Sequence, residues 1–134
     1  MADEITHDWQ SENIPETDFL YMRVHKNWFH PKQNITGLFK NHGGGMSTDW
    51  SHYATPQETR KRVVQFGKSP EDFAVIKMLV AQVRAIEGQT VKHTPDIPNL
   101  NRAHTDVFGE KDEEVRLKFS RIFEIIIKVE DPIQ

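Results

Sequence analysis

Cysteine is absent from this chain of 134 residues, and several kinds of site are excluded with it. Without cysteine there is no disulfide framework, no thiol nucleophile and no zinc site built on thiolates. A chain of this length corresponds to one ordinary domain and can bury a core without disulfide or metal support. The lack of cysteine is compatible with the reducing cytoplasm, where we expect the protein to be located.

Long apolar runs are also missing. No stretch approaches the roughly 20 apolar residues that a membrane-spanning helix needs, so we expect no membrane association. The first ten residues, MADEITHDWQ, are acidic. Because they lack the basic and apolar regions of a secretory signal, we expect no export by that route.

A strong excess of basic residues is missing as well, since the net charge is -3. Residues 1–18 hold six acidic residues and no lysine or arginine, which leaves 14 acidic against 17 basic residues, a charge of +3, in residues 19–134. An acidic segment poor in aromatic residues usually stays loose. We therefore predict a loose leader over residues 1–18 and one domain over residues 19–134. The domain is only mildly basic, which argues against a dedicated nucleic-acid binder.

The clearest strand signal is the heptapeptide FLYMRVH, in which apolar residues alternate with other types. Side chains of a strand point alternately to its two faces. We therefore expect Leu20, Met22 and Val24 to face the core. Arg23 and His25 then lie side by side on the opposite face.

Further elements follow from turn residues and periodicity. Thr55, Pro56 and Glu58 form a capping box with proline at the first helical position, which predicts a helix that ends at Gly67. The segment FAVIKMLVAQVRAIEG fits either one helix or a buried strand followed by a short helix, and we favour the second. Short strands are predicted at ITGLF, MSTDW, QTVKHTP and AHTDVFG.

The C-terminal segment has the strongest helical pattern. Acidic residues occupy its first turn, at positions 112–114, and Pro132 closes it. Its end, FEIIIKV, is rich in β-branched residues and is the weaker part. We predict an α+β fold: a single compact domain with a small mixed sheet and a long amphipathic C-terminal helix packed on it. The apolar residues that recur at helical spacing are Val115, Phe119, Ile122, Ile126 and Val129.

The segment KNHGGGMSTDWSHY, which begins at Lys40, concentrates glycine, histidine and hydroxyl groups. HGGG matches the oxyanion-hole motif of some esterases, but the Gly-x-Ser-x-Gly nucleophile elbow of that fold is missing. No lysine follows the glycines, as a phosphate loop requires. Two interpretations stay open: an anion-binding nest of backbone N–H groups around Gly44, and a turn between two short strands, which we favour.

Polar residues on the predicted strand faces suggest a cleft for a small anion or a nucleotide. Arginine offers a rigid fork of donors to a carboxylate or phosphate. The other interpretation, which we favour, is that Arg23 pairs with a carboxylate at the edge of the core and that the histidines only cap loops. Arg23, His25 and His104 are the candidate catalytic residues. The candidate ligand-binding residues are Arg23, His25, Gly44, Ser47, Asp49, Asn101 and His104.

Two other clusters receive a structural interpretation. The seven histidines lack the His-x-x-x-His spacing of a helical metal site. A site assembled in space stays open, but we favour surface or hydrogen-bonding roles and predict neither metal nor cofactor. Arg60, Lys61 and Arg62 are consecutive and spread around a helix, so we interpret them as a solvated helix face.

Four segments together resemble a family of small uncharacterised bacterial proteins of unassigned function. The segments are FLYMRVHKNWF, MSTDWSHYATPQET, VRAIEGQTVKHTP and NLNRAHTDVFGEK. The shared features are an Arg-x-His strand, a serine-containing strand ahead of a Thr-Pro helix start, and an Asn-x-x-His segment. The resemblance implies a bacterial, cytoplasmic protein and no particular activity.

Arg23 with Ser47 and Thr48 is also similar to the pattern of ADP-ribosyltransferase-like toxin domains. In that family an arginine or histidine on an early strand and a serine or threonine on a later strand hold NAD. The resemblance implies NAD binding by these residues. The family's late catalytic glutamate has Glu110 as its nearest counterpart, which follows a glycine at a helix start.

Two functions follow from these patterns. The favoured one is a small cytoplasmic binding or accessory module whose polar cleft recognises an unknown protein partner or a small anionic ligand, with a homo-oligomer left open. It is favoured because no catalytic constellation is complete. The alternative is a small enzyme acting on a nucleotide or phosphorylated substrate. In that enzyme Arg23 would hold the anion, and His25 or His104 would act as acid or base.

Overall fold

The computed structural model describes residues 8–134, and one antiparallel sheet organises them. Its strands stand in the order β4-β5-β2-β1-β3-β6, with every neighbouring pair antiparallel. The prediction of a mixed sheet is therefore wrong. Strands β2 and β3 do run in the same direction, but β1 lies between them and gives each an antiparallel neighbour. The strands are β1 (Phe19–His25), β2 (Met46–Trp50), β3 (Phe73–Leu79), β4 (Thr90–His93), β5 (His104–Phe108) and β6 (Phe123–Ile127).

Three short α-helices accompany the sheet over the described residues: α1 (Pro56–Lys61), α2 (Val80–Arg84) and α3 (Glu113–Ser120). The capping box predicted for α1 is confirmed. The Thr55 hydroxyl accepts from the Glu58 backbone N–H at 3.1 Å, and the Glu58 carboxylate accepts from the Thr55 N–H at 3.0 Å. The helix continues as a 3-10 turn and ends at residue 67, a glycine in the left-handed region with φ of 73°.

The strand faces follow the predicted alternation. Leu20, Met22 and Val24 are buried, whereas Arg23 and His25 lie on the other face. The favoured division of FAVIKMLVAQVRAIEG is also confirmed, because β3 is followed directly by α2. The strands predicted at MSTDW, QTVKHTP and AHTDVFG are present as β2, β4 and β5. ITGLF is instead a 3-10 turn.

The long C-terminal helix is a wrong prediction. Helix α3 has eight residues, and the chain then forms β6, which pairs with β3 at the edge of the sheet. The β-branched run from Ile125 to Ile127 favours a strand. Pairing with β6 also satisfies backbone N–H and C=O groups along one edge of the buried strand β3. If the C-terminal segment continued as a helix, these groups of β3 would have no strand partner. The helical spacing holds only within α3, where Phe119 is fully buried.

One face of the sheet carries the hydrophobic core. Alternate residues of β1, β2, β3 and β5 point into it, and α2, α3 and the 3-10 turn Ile35–Leu38 close it. Phe39, which follows the turn, stacks on Phe119 of α3 with ring centroids 5.3 Å apart. Both rings are fully buried, so this pair fixes the turn and the helix to the same side of the sheet.

Helix α1 packs on the opposite face, against β1 and β3. The predicted solvated face of this helix is wrong for Arg60, which is fully buried, and for Arg62, whose side chain is 16% exposed and pairs with Asp49. The Arg60 guanidinium donates to backbone carbonyls, including those of Phe73, Val129 and Asp131, each at 2.9 Å. A cation can be buried in this way because carbonyl oxygens satisfy its donors. Lys61 is exposed.

Residues 8–18 form the described part of the predicted acidic leader, and residues 1–7 lie outside the described residues. The segment contacts the domain at several points. Ile14 is buried in the core, and its carbonyl accepts from Arg84 at 2.8 Å. The Asp18 carboxylate accepts from the Trp50 indole at 2.8 Å. Every helix within residues 8–134 falls short of the length and apolar character that a membrane span requires.

Candidate functional site

A cleft of about 410 Å³ opens on the sheet face opposite the core. Its floor comes from β1, β2 and β5, and α1 with the turn that follows it forms one wall. The sheet register brings the floor residues together. Asp49 of β2 lies opposite Tyr21 of β1 on one side and opposite His104 of β5 on the other. The predicted site residues that line the cleft are Arg23, Ser47, Asp49, Asn101 and His104.

Two predicted site residues lie elsewhere. His25 is two residues beyond Arg23 on the same strand face, and its ring packs edge-on against Phe73 at 5.1 Å. Its Nδ1 accepts from the Asn27 N–H at 3.1 Å, so it caps the turn after β1. Gly44 does not line the cleft. It lies in a tight turn with φ of 113°, and the His42 N–H donates to the Gly45 carbonyl across that turn.

Asp49 is the centre of the polar network on the cleft floor. It is 3% exposed, and both of its carboxylate oxygens accept hydrogen bonds. Oδ1 accepts from the Asn101 amide at 2.8 Å. Oδ2 accepts from the Thr59 hydroxyl at 2.7 Å and from Arg62 Nε at 3.2 Å. The buried carboxylate thus ties strand β2 to α1 and to the loop before β5.

Arg23 lies beside this network with most of its donors unused. Within residues 8–134, its guanidinium makes one hydrogen bond, from NH1 to the Thr59 carbonyl at 3.2 Å. Burial lowers the pKa of Arg23; the Asp49 carboxylate raises it and the Arg62 charge lowers it. A guanidinium has five N–H donors, so four of them make no hydrogen bond within residues 8–134.

Arg62 is in a similar position. Its Nε donates to Asp49, and its two terminal nitrogens have no hydrogen-bond partner within residues 8–134. Its side chain is only 16% exposed. Arg23 and Arg62 therefore place two positive charges near one buried carboxylate. Eight of their ten N–H donors make no hydrogen bond within residues 8–134.

The charge of the cleft differs in sign from that of the chain. Four cationic side chains line the cleft, from Arg23, Lys40, Arg62 and Lys68, against the carboxylates of Asp49 and Asp96. With the histidines neutral, the lining carries a net charge of +2, whereas the whole chain carries -3. Field lines concentrate in such a cleft and attract anions.

A second polar chain lies at the β2–β5 edge of the cleft. His104 Nδ1 lies 2.9 Å from the Thr94 carbonyl and 3.1 Å from the Thr94 hydroxyl. A carbonyl only accepts, so Nδ1 carries the proton, and Nε2 of the neutral ring accepts from the Ser47 hydroxyl at 3.3 Å. The Thr94 hydroxyl donates to Asp106 Oδ2 at 2.9 Å. This series of hydrogen bonds ends at Ser47, which is exposed to the cleft.

The mouth of the cleft is partly apolar. Phe66 follows α1, lines the cleft and is 53% exposed. An exposed aromatic ring beside a cationic cleft offers a flat surface to a planar or apolar part of a ligand.

Arg62 and Thr59, which hold Asp49, are not among the predicted site residues. A signal for them is present, because the capping box at Thr55 fixes the helix start and places positions 59 and 62 on one helical face. Thr94 was not predicted either, since its contact with His104 depends on the pairing of β4 with β5. That pairing brings together residues whose relation no local pattern indicates.

Of the residues implied by the toxin-domain resemblance, Arg23, Ser47 and Thr48 line the cleft. The Thr48 hydroxyl points to the core face and donates to the Thr105 carbonyl at 2.8 Å. Glu110 does not line the cleft that holds Arg23 and Ser47. Over residues 8–134, no group of three or more histidine, aspartate and glutamate side chains is arranged to hold a metal ion.

Comparison with known proteins gives no relative for this chain: no protein-family model, no curated protein and no solved structure matches it.

Proposed function

We propose that this protein is a binding module whose cleft takes a small molecule carrying a phosphate or a carboxylate group. The observation that carries the proposal is that Arg23 on the cleft floor and Arg62 on its wall line the same cleft beside Asp49. Two guanidinium groups repel each other, and the single carboxylate of Asp49 offsets only one of them. An anion between them supplies the second negative charge.

The geometry of arginine supports this choice of ligand. A guanidinium binds the oxygens of a phosphate or carboxylate through two parallel hydrogen bonds. Asp49 accepts one hydrogen bond from Arg62, and the Thr59 carbonyl accepts one from Arg23. These bonds restrict both side chains before the ligand arrives, which lowers the entropy cost of binding.

The size and mouth of the cleft favour more than a bare inorganic ion. Ligand sites for small molecules are commonly about 300–1,000 Å³ in volume, and this cleft is about 410 Å³. Phe66 offers an apolar surface at the mouth. A nucleotide or another phosphorylated or carboxylated metabolite fits both features. A bacterial origin and a cytoplasmic location remain predictions from the sequence.

Isothermal titration tests the proposal with inorganic phosphate, succinate, AMP and NAD as probes. Arg23→Gln removes one guanidinium and keeps a polar side chain, and we expect it to weaken binding of the best probe about tenfold or more, as loss of a charged hydrogen bond does. Arg121→Gln changes an exposed arginine beyond α3 and serves as the matched control. Equal binding by the two variants, or no binding of any probe by the unmodified protein, contradicts the proposal.

A further inference from the structure

Ser47 differs from Ser11, Ser51 and Ser120 in what its hydroxyl contacts. Ser11 and Ser120 donate to backbone carbonyls, and Ser51 accepts from a backbone N–H. These three bonds hold the chain in place. Within residues 8–134, the Ser47 hydroxyl has one partner, His104 Nε2, and it faces the cleft.

His104 is held in the tautomer that a general base needs. Its Nδ1 proton is bound by Thr94, and the Thr94 hydroxyl is in turn bound to the Asp106 carboxylate. The lone pair of Nε2 is therefore directed at Ser47. The distance of 3.3 Å is at the long end of the range, as is common for such pairs before a substrate is bound.

We propose that Ser47 and His104 are the nucleophile and general base of an esterase activity toward carboxylic esters of small anionic molecules. This inference rests on the proposed function, because the anion held by Arg23 and Arg62 places the ester beside Ser47. Thr94 and Asp106 are positioning residues that orient the imidazole. A serine adjacent to an oriented base is the usual arrangement for nucleophilic catalysis.

The reaction is balanced with water as the only co-reactant. Ser47 Oγ attacks the ester carbonyl carbon and passes its proton to His104 Nε2. The bond from that carbon to the alcohol oxygen breaks, and the departing oxygen takes the proton from Nε2, which leaves an acyl group on Ser47. Water then gives a proton to Nε2 and attacks the acyl carbon, and Oγ recovers the proton as the free acid leaves.

The positions of the two groups limit the substrate. Ser47 and Asp49 are two residues apart on β2 and point to the same face, so their side chains start about 7 Å apart. Arg62 is hydrogen-bonded to Asp49, and Arg23 donates to the Thr59 carbonyl beside it. The substrate therefore carries its anionic group several bonds from the ester carbonyl, as in the monoester of a short dicarboxylic acid.

Hydrolysis of para-nitrophenyl esters tests the inference directly. The probes are the acetate, which has no anionic group, and the monoesters of succinate, glutarate and adipate. We expect the unmodified protein to hydrolyse at least one monoester with a kcat/KM about tenfold or more above that for the acetate. Ser47→Ala should reduce the rate to the uncatalysed background, and His104→Gln should reduce it about 100-fold or more. A fluorophosphonate should label the peptide that contains Ser47.

Ser120→Ala is the matched control, because it removes an exposed serine hydroxyl outside the cleft, and it should hydrolyse like the unmodified protein. No hydrolysis above background by a protein that still binds phosphate or succinate overturns the esterase inference alone. Absence of binding overturns the proposed function as well. Undiminished hydrolysis by Ser47→Ala, with labelling at another residue, rules out Ser47 as the nucleophile. Equal rates for the acetate and the monoesters overturn the substrate assignment.

Discussion

Arginine residues that lie close together in this protein differ in how their donors are satisfied. Arg60 donates to carbonyl oxygens from several segments and is fully buried. Arg62, two residues later, uses one nitrogen for Asp49 and leaves the others to the cleft. The same residue type therefore stabilises the fold at one position and is available to a ligand at the other. Helical positions two residues apart point in different directions, so Arg60 faces the backbone carbonyls and Arg62 faces the cleft.

Replacement of Arg60 tests its structural role. Arg60→Met keeps much of the side-chain volume but removes the donor from three carbonyl oxygens, one in a buried and two in partly buried hydrogen bonds. A buried unsatisfied acceptor costs about 1–3 kcal/mol, so we expect the free energy of unfolding to fall by at least about 1 kcal/mol. Urea denaturation measures it, with exposed Lys61→Met as the control. Equal stability of the two variants would show that Arg60 is not a structural residue.

Lys111 makes the folding stability of the protein depend on pH, and the direction of its pKa shift sets the sign. Burial lowers the pKa of its ammonium group from 10.5 to about 8. Between these values the unfolded chain binds a proton that the folded chain does not, so folding stability rises with pH in this window. We expect the unmodified protein to gain stability relative to Lys111→Met between pH 8 and 10.5. A constant difference between the two proteins across this window would contradict the lowered pKa.

At the scale of elements, His93 is one of the residues that join the segment from Asp8 to Asp18 to the sheet. This buried histidine donates from Nε2 to the Arg102 carbonyl at 2.6 Å and accepts at Nδ1 from the Glu12 N–H at 3.0 Å. Both bonds require the neutral imidazole. One side chain thus connects the segment, β4 and the loop before β5.

His93→Phe keeps an aromatic ring beside Trp50 and Tyr53 but removes both hydrogen bonds. We expect hydrogen exchange at the Glu12 amide to become about tenfold faster, in line with the loss of about 1.4 kcal/mol from one buried hydrogen bond. Mass spectrometry or NMR measures the rate, with Lys92→Ala on the exposed face of β4 as the control. If exchange at Glu12 does not change, or changes only together with that of Met22 in the core, His93 does not anchor the segment.

The elements also show which features a sequence can predict. The alternation in FLYMRVH and the capping box at Thr55 are local, and both are present as predicted. The C-terminal segment satisfied a helical spacing as well, but pairing of β6 with β3 decided its structure. Five of the seven proposed ligand-binding residues line one cleft because each lies on, or next to, a strand face that the sequence indicated. Arg62 and Thr94 depend on packing between elements, which the sequence pattern does not contain.

At the scale of the whole molecule, the distribution of charge supports a site for anions. The chain is acidic overall, with a net charge of -3, yet the cleft lining carries +2. A negatively charged surface around a positive cleft directs anions to the cleft. The same surface disfavours general binding of nucleic acid, which needs a continuous basic surface.

The most direct test of this account is an NMR titration that follows the arginine side-chain N–H signals as phosphate is added. Arg60 is an internal control, since carbonyls already occupy its donors. We predict saturable shifts of the Arg23 and Arg62 signals, with the Arg60 and Arg121 signals unchanged. Shifts of equal size at all arginines, or none that saturate at Arg23 and Arg62, would show that the arginine pair does not form an anion site.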